Sequence, residues 1–306
     1  MKFKDHFSGH AAEYAKFRPH YPDELFEHLA SIAPRHELAW DCATGNGQAA
    51  VGLARHFEKV IATDASAQQI ESAEPDKRIS YRVAPAEASG IDSASVDLIL
   101  AAQALHWFDI DRFFTEAKRV LKDDGVLAIS SYQVLEITPE IDVIIWKFYR
   151  ETTGPFWPPE RDLVESDYKD IQLPFPELPH RQFEMRTRWN LNQLLGYLRT
   201  WSATQRFIAA RGFDPVDSLV EEFGAIWKNP EEVREIKMAI TSTCWRSGQA
   251  MTLSCFYSYS CSCLCLYSRN CLEHEYDYEH EQKGKRRALR PAPPLSLSSF
   301  SLAIAL

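Results

Sequence analysis

The most informative part of the sequence reads Trp40-Asp41-Cys42-Ala43-Thr44-Gly45-Asn46-Gly47, and it follows a short apolar run that begins at Leu38. The next ten residues, 48–57, have the apolar spacing of a helix. Glycines let a chain turn sharply and approach a ligand closely. The first N–H groups of a helix have no partner within it, and they point outward. A strand, a glycine turn and a helix N-terminus in this order predict a site for a nucleotide-like ligand.

Strand and helix patterns alternate downstream of this turn. We predict strands over 38–42, 60–64, 79–83, 96–101 and 125–131, with helices over 48–57, 66–73 and 108–121. Strands joined by helices form a parallel sheet that is covered on both faces. The predicted fold class is therefore α/β with a doubly wound sheet, and its ligands are expected outside the carboxyl ends of the strands.

The flanking segments predict additions to this sheet. Helices over 11–17 and 22–32 would form an N-terminal cap, since Arg18 precedes Pro19 and is pushed out of helical geometry. Residues 139–179 are rich in proline and aromatic residues, which favours a lid. Further predicted elements are a helix over 141–151, a strand over 183–189, helices over 191–211 and 216–227, and a last strand over 233–243.

The composition favours one folded domain followed by a tail. We expect one domain over 1–248, with a cap (1–36), a ligand-binding core (37–135), a lid and substrate region (136–232) and a last strand (233–248). Residues 249–306 are biased toward serine, cysteine, charged residues and proline, which predicts disorder. The alternating cysteines of the tail lack the spacing of a zinc site, so no metal site is predicted.

Charge and hydropathy limit the partners. The net charge of −9 argues against non-specific binding to nucleic acid or to an anionic membrane. The apolar runs are all shorter than the roughly 20 residues of a membrane span. Cysteines are almost absent before residue 244, as in cytosolic proteins. We therefore expect a cytoplasmic protein with a small-molecule substrate, and the sequence leaves its oligomeric state open.

An acidic residue at the end of the second predicted strand narrows the range of possible ligands. Asp64 follows Asp41 by 64 − 41 = 23 positions, a distance that suits hydrogen bonds to both hydroxyls of a ribose. Two interpretations of the turn remain at this point. The run from Gly45 to Ala50 fits the G-x-G-x-x-A variant of the dinucleotide fingerprint, which predicts a nicotinamide-dependent oxidoreductase. The same residues fit the D-x-G-x-G turn of S-adenosylmethionine (SAM) enzymes, with Ala43 in place of the first glycine.

Three further stretches favour the second interpretation. They read Gln103-Ala104-Leu105-His106-Trp107, Arg119-Val120-Leu121-Lys122-Asp123-Asp124-Gly125, and Tyr14-Ala15-Lys16-Phe17-Arg18-Pro19-His20-Tyr21-Pro22. With them, residues 7–243 resemble the class I SAM-dependent methyltransferases, and within that family the branch of trans-aconitate methyltransferase and related small-molecule enzymes. The resemblance implies a Rossmann-like sheet, SAM as cofactor and methyl transfer to a small molecule.

The resemblance also implies roles for individual residues. The methionine end of the cofactor would contact Asp41, Ala43, Gly45 and Gly47, the ribose would contact Asp64, the adenine would lie beside Ala86 and Glu87, and the sulfonium would face Gln103. Cys42 is interpreted as a small buried residue.

The predicted acceptor side is less explicit. His106 beside Trp107 is a candidate base, or else a histidine packed under the lid. Arg18, with Tyr14 and Tyr21, is a candidate carboxylate-binding group. Aromatic residues that could line the acceptor site are Phe156, Trp157 and Trp201. We expect O-methylation of a carboxylic acid, and a catalytically inactive protein with the same fold is the other alternative.

Overall fold

The computed structural model describes residues 19–169, 171 and 175–248. The helix predicted over 11–17 and the tail over 249–306 lie outside the described residues, as do Tyr14 and Arg18. No helix in the described part of the chain is both long and apolar enough to cross a lipid bilayer.

A seven-stranded mixed sheet forms the centre of the described fold. Its strands are β1 (Leu38–Cys42), β2 (Lys59–Asp64), β3 (Ile79–Val83), β4 (Val96–Ala102), β5 (Leu121–Tyr132), β6 (Arg181–Trp189) and β7 (Arg234–Arg246). They lie in the order β3-β2-β1-β4-β5-β7-β6. The first five strands are parallel, and β7 runs antiparallel to both β5 and β6. This topology confirms the predicted doubly wound α/β fold, with a strand pair added at one edge.

Helices cover both faces of the sheet. They are α1 (Asp23–Ile32), α2 (Gln48–Leu53), α3 (Ala67–Glu71), α4 (Ile110–Val120), α5 (Pro139–Lys147), α6 (Arg161–Glu165), α7 (Leu191–Arg199), α8 (Ser202–Arg211) and α9 (Leu219–Trp227). Short 3₁₀ turns at Leu105–Trp107, Gly154–Phe156 and Pro215–Ser218, and a π turn at Phe148–Thr152, complete the framework.

The alternation of β4 explains why two cores form. Its Leu98 and Leu100 are buried in one apolar cluster, whereas Ile99 and Ala101 are buried in the other. Successive side chains of a strand point to opposite faces, so an unbroken apolar strand must be covered on both sides. The second cluster contains the buried face of α4, and the first contains those of α1, α2 and the helices of the lid.

Most of the predicted helices and strands differ from the structure by a few residues at their ends, and two differences have a clear physical cause. We predicted one helix over 191–211, but α7 ends at Arg199 and α8 begins at Ser202, because Trp201 has an extended backbone (φ −65°, ψ 134°). The hydroxyls of Thr200 and Thr204 bond the carbonyls of Tyr197 and Leu198 at the break. Strand β5 begins at Leu121 rather than at residue 125, since Leu121 already pairs with β4.

Candidate active site

The glycine turn between β1 and α2 has three residues in the left-handed region. Ala43 and Gly45 each have φ +57°, and Gly47, which caps α2, has φ +89°. Glycine adopts this region without strain, whereas alanine does so at a cost of about 1 kcal/mol or more. Ala43 therefore occupies a position that the turn geometry itself would give to glycine. Among the described residues, the single atom within 4 Å of a methyl group built on Gly45 is Gln69 Oε1 at 3.9 Å, so none of these residues fills the space in front of Gly45.

Asp41 lies beneath the turn and is almost completely buried (1% exposed). Its Oδ2 accepts a hydrogen bond from Thr44 Oγ1 at 2.5 Å. Burial disfavours the charged carboxylate and raises the pKa of Asp41 to about 7, although the Thr44 hydroxyl and the Ala50 N–H act in the opposite direction. A positively charged ligand bound beside this carboxyl group would favour its ionised form.

Asp64 ends β2 directly beside the turn. Its Oδ2 accepts the backbone N–H of Gly45 at 2.9 Å, and its Oδ1 accepts that of Ser66 at 2.8 Å. The carboxylate thus holds the turn and the start of α3 together. Each carboxylate oxygen has a second lone pair. The predicted contact of Asp64 with a ribose stays a prediction that this arrangement allows.

Three buried polar atoms around the turn have no hydrogen-bond partner among the described residues. They are Gln48 Nε2, Gln69 Oε1 and Tyr81 Oη. Buried polar groups are normally paired, so these three atoms are suited to hydrogen bonds with a bound polar ligand. Gln69 Oε1 lies near Gly45, and Tyr81 Oη lies against Gly47. Open space, left-handed backbone, a buried acid and orphaned polar atoms together suit a polar cofactor at this turn.

A second cleft opens at the carboxyl ends of β4 and β5. Gln103 follows β4 with φ +55°, and its Oε1 accepts the N–H of Tyr132 at 2.8 Å. The side chain of Gln103 thereby links the two strand ends. The cleft is lined by polar and aromatic residues from the sheet and the lid: Gln103, His106, Trp107, Tyr132, Gln133, Val134, Tyr149, Trp157, Arg161, Tyr197, Trp201 and Ser202.

His106 lies at the floor of this cleft and is 7% exposed. Its Nδ1 is 3.0 Å from Tyr168 Oη, and its ring lies 4.6 Å from that of Trp107. Burial lowers the pKa of His106 to about 3, and the charge of Arg161 lowers it further in the same direction. The imidazole is therefore neutral at physiological pH. His106 is packed under the lid, as one of the two predicted interpretations has it, and it also lines the cleft, as the other interpretation, a candidate base, requires.

Some of the aromatic residues predicted for the acceptor side line this cleft, and others lie elsewhere. Trp107, Trp157 and Trp201 line the cleft with His106, but Phe156 packs on Phe207 instead (ring centroids 4.9 Å apart). Tyr21 lies beside Gly47, in a separate cleft of about 390 Å³ between α1 and α2.

The residues predicted beside the adenine have structural contacts. Ala86 is buried in the second core cluster, and Glu87 Oε1 accepts the N–H of Asp109 at 2.8 Å, before α4. Cys42 is fully buried, and burial raises the pKa of its thiol, which suits its predicted passive role.

Sequence reasoning missed a polar group on the lid side of the cleft. Arg161 Nε donates to Tyr149 Oη at 3.0 Å, and its guanidinium lies 5.0 Å from the centre of the Trp157 ring. Tyr168, which contacts His106, was also missed. Arg161 lies at the start of a short helix between proline-rich and acidic residues, and no motif distinguishes it there from a surface arginine.

Comparison with known proteins gives consistent matches. A sequence model described as a methyltransferase domain matches residues 40–129. A methyltransferase-family protein of Dictyostelium discoideum is 37% identical over 234 residues, which cover 75% of this chain and 89% of that relative. A solved structure from Anaeromyxobacter dehalogenans, described as a type II methyltransferase, is 40% identical, has a TM-score of 0.71, and is matched over 76% of this chain and 100% of its own.

A more distant relative names the cofactor. A Saccharomyces cerevisiae protein named as an S-adenosylmethionine-dependent methyltransferase is 27% identical over 229 residues, which cover 63% of this chain and 78% of that protein. The family matches favour SAM over a dinucleotide as the cofactor, and the contacts predicted for the glycine turn, Asp41 and Asp64 stay predictions. The chain belongs to the class I SAM-dependent methyltransferases.

Proposed function

We propose that this methyltransferase transfers a methyl group to an oxygen of a small carboxylic acid. The observation that carries the proposal is the chemistry of the cleft at the ends of β4 and β5. Among the described residues that line it, none is an aspartate, a glutamate or a lysine, and the basic side chain on its floor is His106. His106 is buried, and one of its ring nitrogens is engaged by Tyr168.

The low basicity of His106 selects among acceptors. A base whose conjugate acid has a pKa of about 3 does not remove a proton from an ammonium or a hydroxyl group, whose pKa values lie several units higher. A carboxylic acid is already ionised at neutral pH and needs no base. The cleft therefore suits an acceptor that arrives as an anion. The role of His106 would be to hold Tyr168 and to shape the floor, not to accept a proton.

The residues around the turn supply the cofactor site in this proposal. Asp41 and Gly45 would contact the amino-acid end of SAM, Asp64 its ribose, and Gln103 its sulfur side, with Ala43, Gly47, Ala86 and Glu87 in supporting contacts. Bound SAM would supply a methyl carbon activated by positively charged sulfur; a carboxylate oxygen that attacked this carbon would form the methyl ester and leave S-adenosylhomocysteine, with no proton transferred.

The remaining tasks fall to positioning and exclusion of water. Trp107, Trp157 and Trp201 line the cleft as apolar walls. Tyr14, Arg18 and Tyr21 stay predicted acceptor-side residues, and the ring of Tyr21 packs edge to face on that of Tyr132, which lines the cleft (centroids 6.3 Å apart). An acceptor of the aconitate kind follows from the sequence resemblance alone.

Methyl transfer from labelled SAM tests the proposal. The protein is incubated with small carboxylic acids and, as matched controls, with the corresponding primary alcohols and amines. We expect label only with the acids, in a product that mild base hydrolyses, as it does a methyl ester. Label on an amine or alcohol, in a base-stable product, would contradict the proposal. His106→Gln is expected to keep most of the turnover of an acid, with a pH profile unchanged between pH 6 and 8.

A further inference from the structure

Arg161 differs from Arg199 and Arg234, two half-buried arginines whose guanidinium groups pair with carboxylates. Arg199 pairs with Asp214 at 2.5 Å, and Arg234 pairs with Glu232 at 3.6 Å. Arg161 has no carboxylate within ion-pair distance among the described residues, although Glu165 lies one helical turn further along α6. An arginine that faces a cleft without a counter-ion is an exception to the general pairing of buried charges.

The hydrogen bonds of Arg161 leave one side of the guanidinium available. Its Nε donates to Tyr149 Oη at 3.0 Å. No described residue accepts a hydrogen bond from its two terminal nitrogens. These two nitrogens form the edge of the guanidinium that matches a carboxylate through two parallel hydrogen bonds.

The neighbours of Arg161 fix the orientation of this edge. Tyr149 Oη accepts from Arg161 and donates to Glu165 Oε1 at 2.5 Å, so its hydroxyl is fully used. Trp157 Nε1 donates to the carbonyl of Tyr149 at 3.1 Å, which holds the indole under the guanidinium. The guanidinium is thus pre-organised on two rings, and preorganisation reduces the ordering cost of binding.

The charge of Arg161 reaches the floor of the cleft. It contributes to the shifted pKa values of His106, Tyr149 and Tyr168, which come from three different segments. Arg161, His106 and Gln103 also line the same cleft. A positive charge here would repel a protonated amine and attract an anion.

We propose that Arg161 is the acceptor-binding residue of this enzyme, and that its two terminal nitrogens hold a carboxylate of the substrate while Tyr149 and Trp157 fix the guanidinium plane. This inference rests on the proposed function, and it adds the group that selects acids over their neutral analogues. Arg161 binds the substrate carboxylate while it is charged, and this charge falls as the methyl group is transferred, so the guanidinium contributes to substrate binding rather than to stabilisation of the transition state. Its loss is therefore expected in KM more than in kcat.

The test compares three variants with the full-length enzyme. Arg161→Gln removes the charge, and Arg161→Lys keeps the charge but loses the planar fork. Arg150→Gln is the matched control, since Arg150 also stacks on a ring (Trp146, 4.7 Å) but lies outside the cleft. The measurements are KM and kcat for the acid that the wild-type enzyme methylates best, and calorimetric binding of that acid to the complex with S-adenosylhomocysteine.

We expect Arg161→Gln to raise KM and the acid's Kd about 10- to 100-fold, the range for a lost charge-assisted hydrogen-bond pair. Arg161→Lys is expected to be intermediate, and Arg150→Gln to match wild type. S-adenosylhomocysteine should bind all four proteins equally, which shows that the variants fold.

The possible failures are distinguishable. If the wild-type enzyme methylates acids and Arg161→Gln leaves KM and Kd unchanged, the inference is overturned and the proposed function stands. If the wild-type enzyme methylates amines or hydroxyls but no acid, both are overturned.

Discussion

Replacement of Gly47 by alanine tests whether the glycine turn has the geometry described above. Gly47 is the N-cap of α2 and has φ +89°. A methyl group built at this position overlaps the hydroxyl of Tyr81 and lies 3.0 Å from the ring atoms Cε1 and Cζ. Tyr81 comes from β3, so the contact joins the turn to a strand two places away in the sheet.

The expected loss of stability has two parts. An alanine held in the left-handed region costs about 1–2 kcal/mol. Forcing a side chain into occupied space costs about 1–3 kcal/mol more. We therefore expect Gly47→Ala to lower the free energy of unfolding by about 3 kcal/mol. For a domain of this size, that corresponds to a fall of about 6–12 °C in melting temperature.

Two matched variants separate the parts. Gly45→Ala has the same kind of backbone strain, but its methyl group meets only Gln69 Oε1 at 3.9 Å, which is ordinary contact. Gly45→Ala is therefore expected to cost only about 1–2 kcal/mol. Tyr81→Phe removes an orphaned buried hydroxyl and should by itself be neutral or stabilising. In the Tyr81→Phe background, the penalty of Gly47→Ala should fall by about 1 kcal/mol, because only the ring contacts remain.

Denaturant unfolding without cofactor, followed by circular dichroism, gives the free energies of unfolding of the wild type, the three single variants and the double variant. Equal losses for Gly45→Ala and Gly47→Ala would refute the contact between the turn and Tyr81. An unchanged Gly47→Ala penalty in the Tyr81→Phe background would show that the hydroxyl does not fill the space next to the turn.

Three carboxylates carry further predictions. The folded state raises the pKa of Asp41 from 3.8 to about 7, so the free energy of unfolding should fall by up to about 4 kcal/mol as the pH rises from about 4 through 7. Asp41→Asn should flatten this fall in unfolding measurements across that pH range. A variant profile parallel to that of the wild type would contradict the raised pKa. Asp64→Ala should weaken S-adenosylhomocysteine binding by about 1–3 kcal/mol in calorimetry, and unchanged affinity would move the ribose site elsewhere. Asp97 is fully buried, bonds the N–H of Glu37 and Leu38 and pairs with Lys122 at 2.8 Å, so Asp97→Ala should destabilise by about 3–5 kcal/mol, whereas a loss under 1 kcal/mol would show that the pair is dispensable.

The strands of the sheet could be predicted from the sequence because the pattern that identifies each strand lies within a few consecutive residues. β1 and β3 have the predicted bounds, because β1 is a short apolar run before the glycine turn and β3 alternates apolar or aromatic residues with polar ones. The helix predicted over 191–211 was wrong at one place for a tertiary reason. The extended backbone at Trp201 turns its ring toward Tyr149 and Trp157 (centroids 5.6 Å from each), and helical spacing in a linear sequence does not contain that packing.

The two halves of the site were predictable to different degrees. Four residues of the proposed cofactor half, Asp41, Ala43, Gly45 and Gly47, are close together in the sequence, and one short motif identifies them. The acceptor half is assembled from separate segments. Arg161 gains its place only through the fold of the lid over the sheet, which brings it to the cleft that His106 lines, and a single sequence gives no signal for that approach.

The distribution of charge between the two halves has a consequence for the order of events. Acidic residues, Asp41 and Asp64, lie at the cofactor turn, whereas Arg161 lies on the acceptor side. The positive sulfur of the cofactor and the Arg161 guanidinium repel each other, and an anion bound between them offsets this repulsion because it attracts both. A bound carboxylate would therefore be held more tightly beside a cationic cofactor analogue than beside neutral S-adenosylhomocysteine. We expect at least about a fivefold difference in the acid's Kd, measured by calorimetry at low salt and reduced in high salt. Equal affinity in the two complexes would mean that Arg161 and the sulfur are too far apart to interact.

Since transfer removes the charges of both the carboxylate and the sulfur, the same coupling would favour release of the neutral ester.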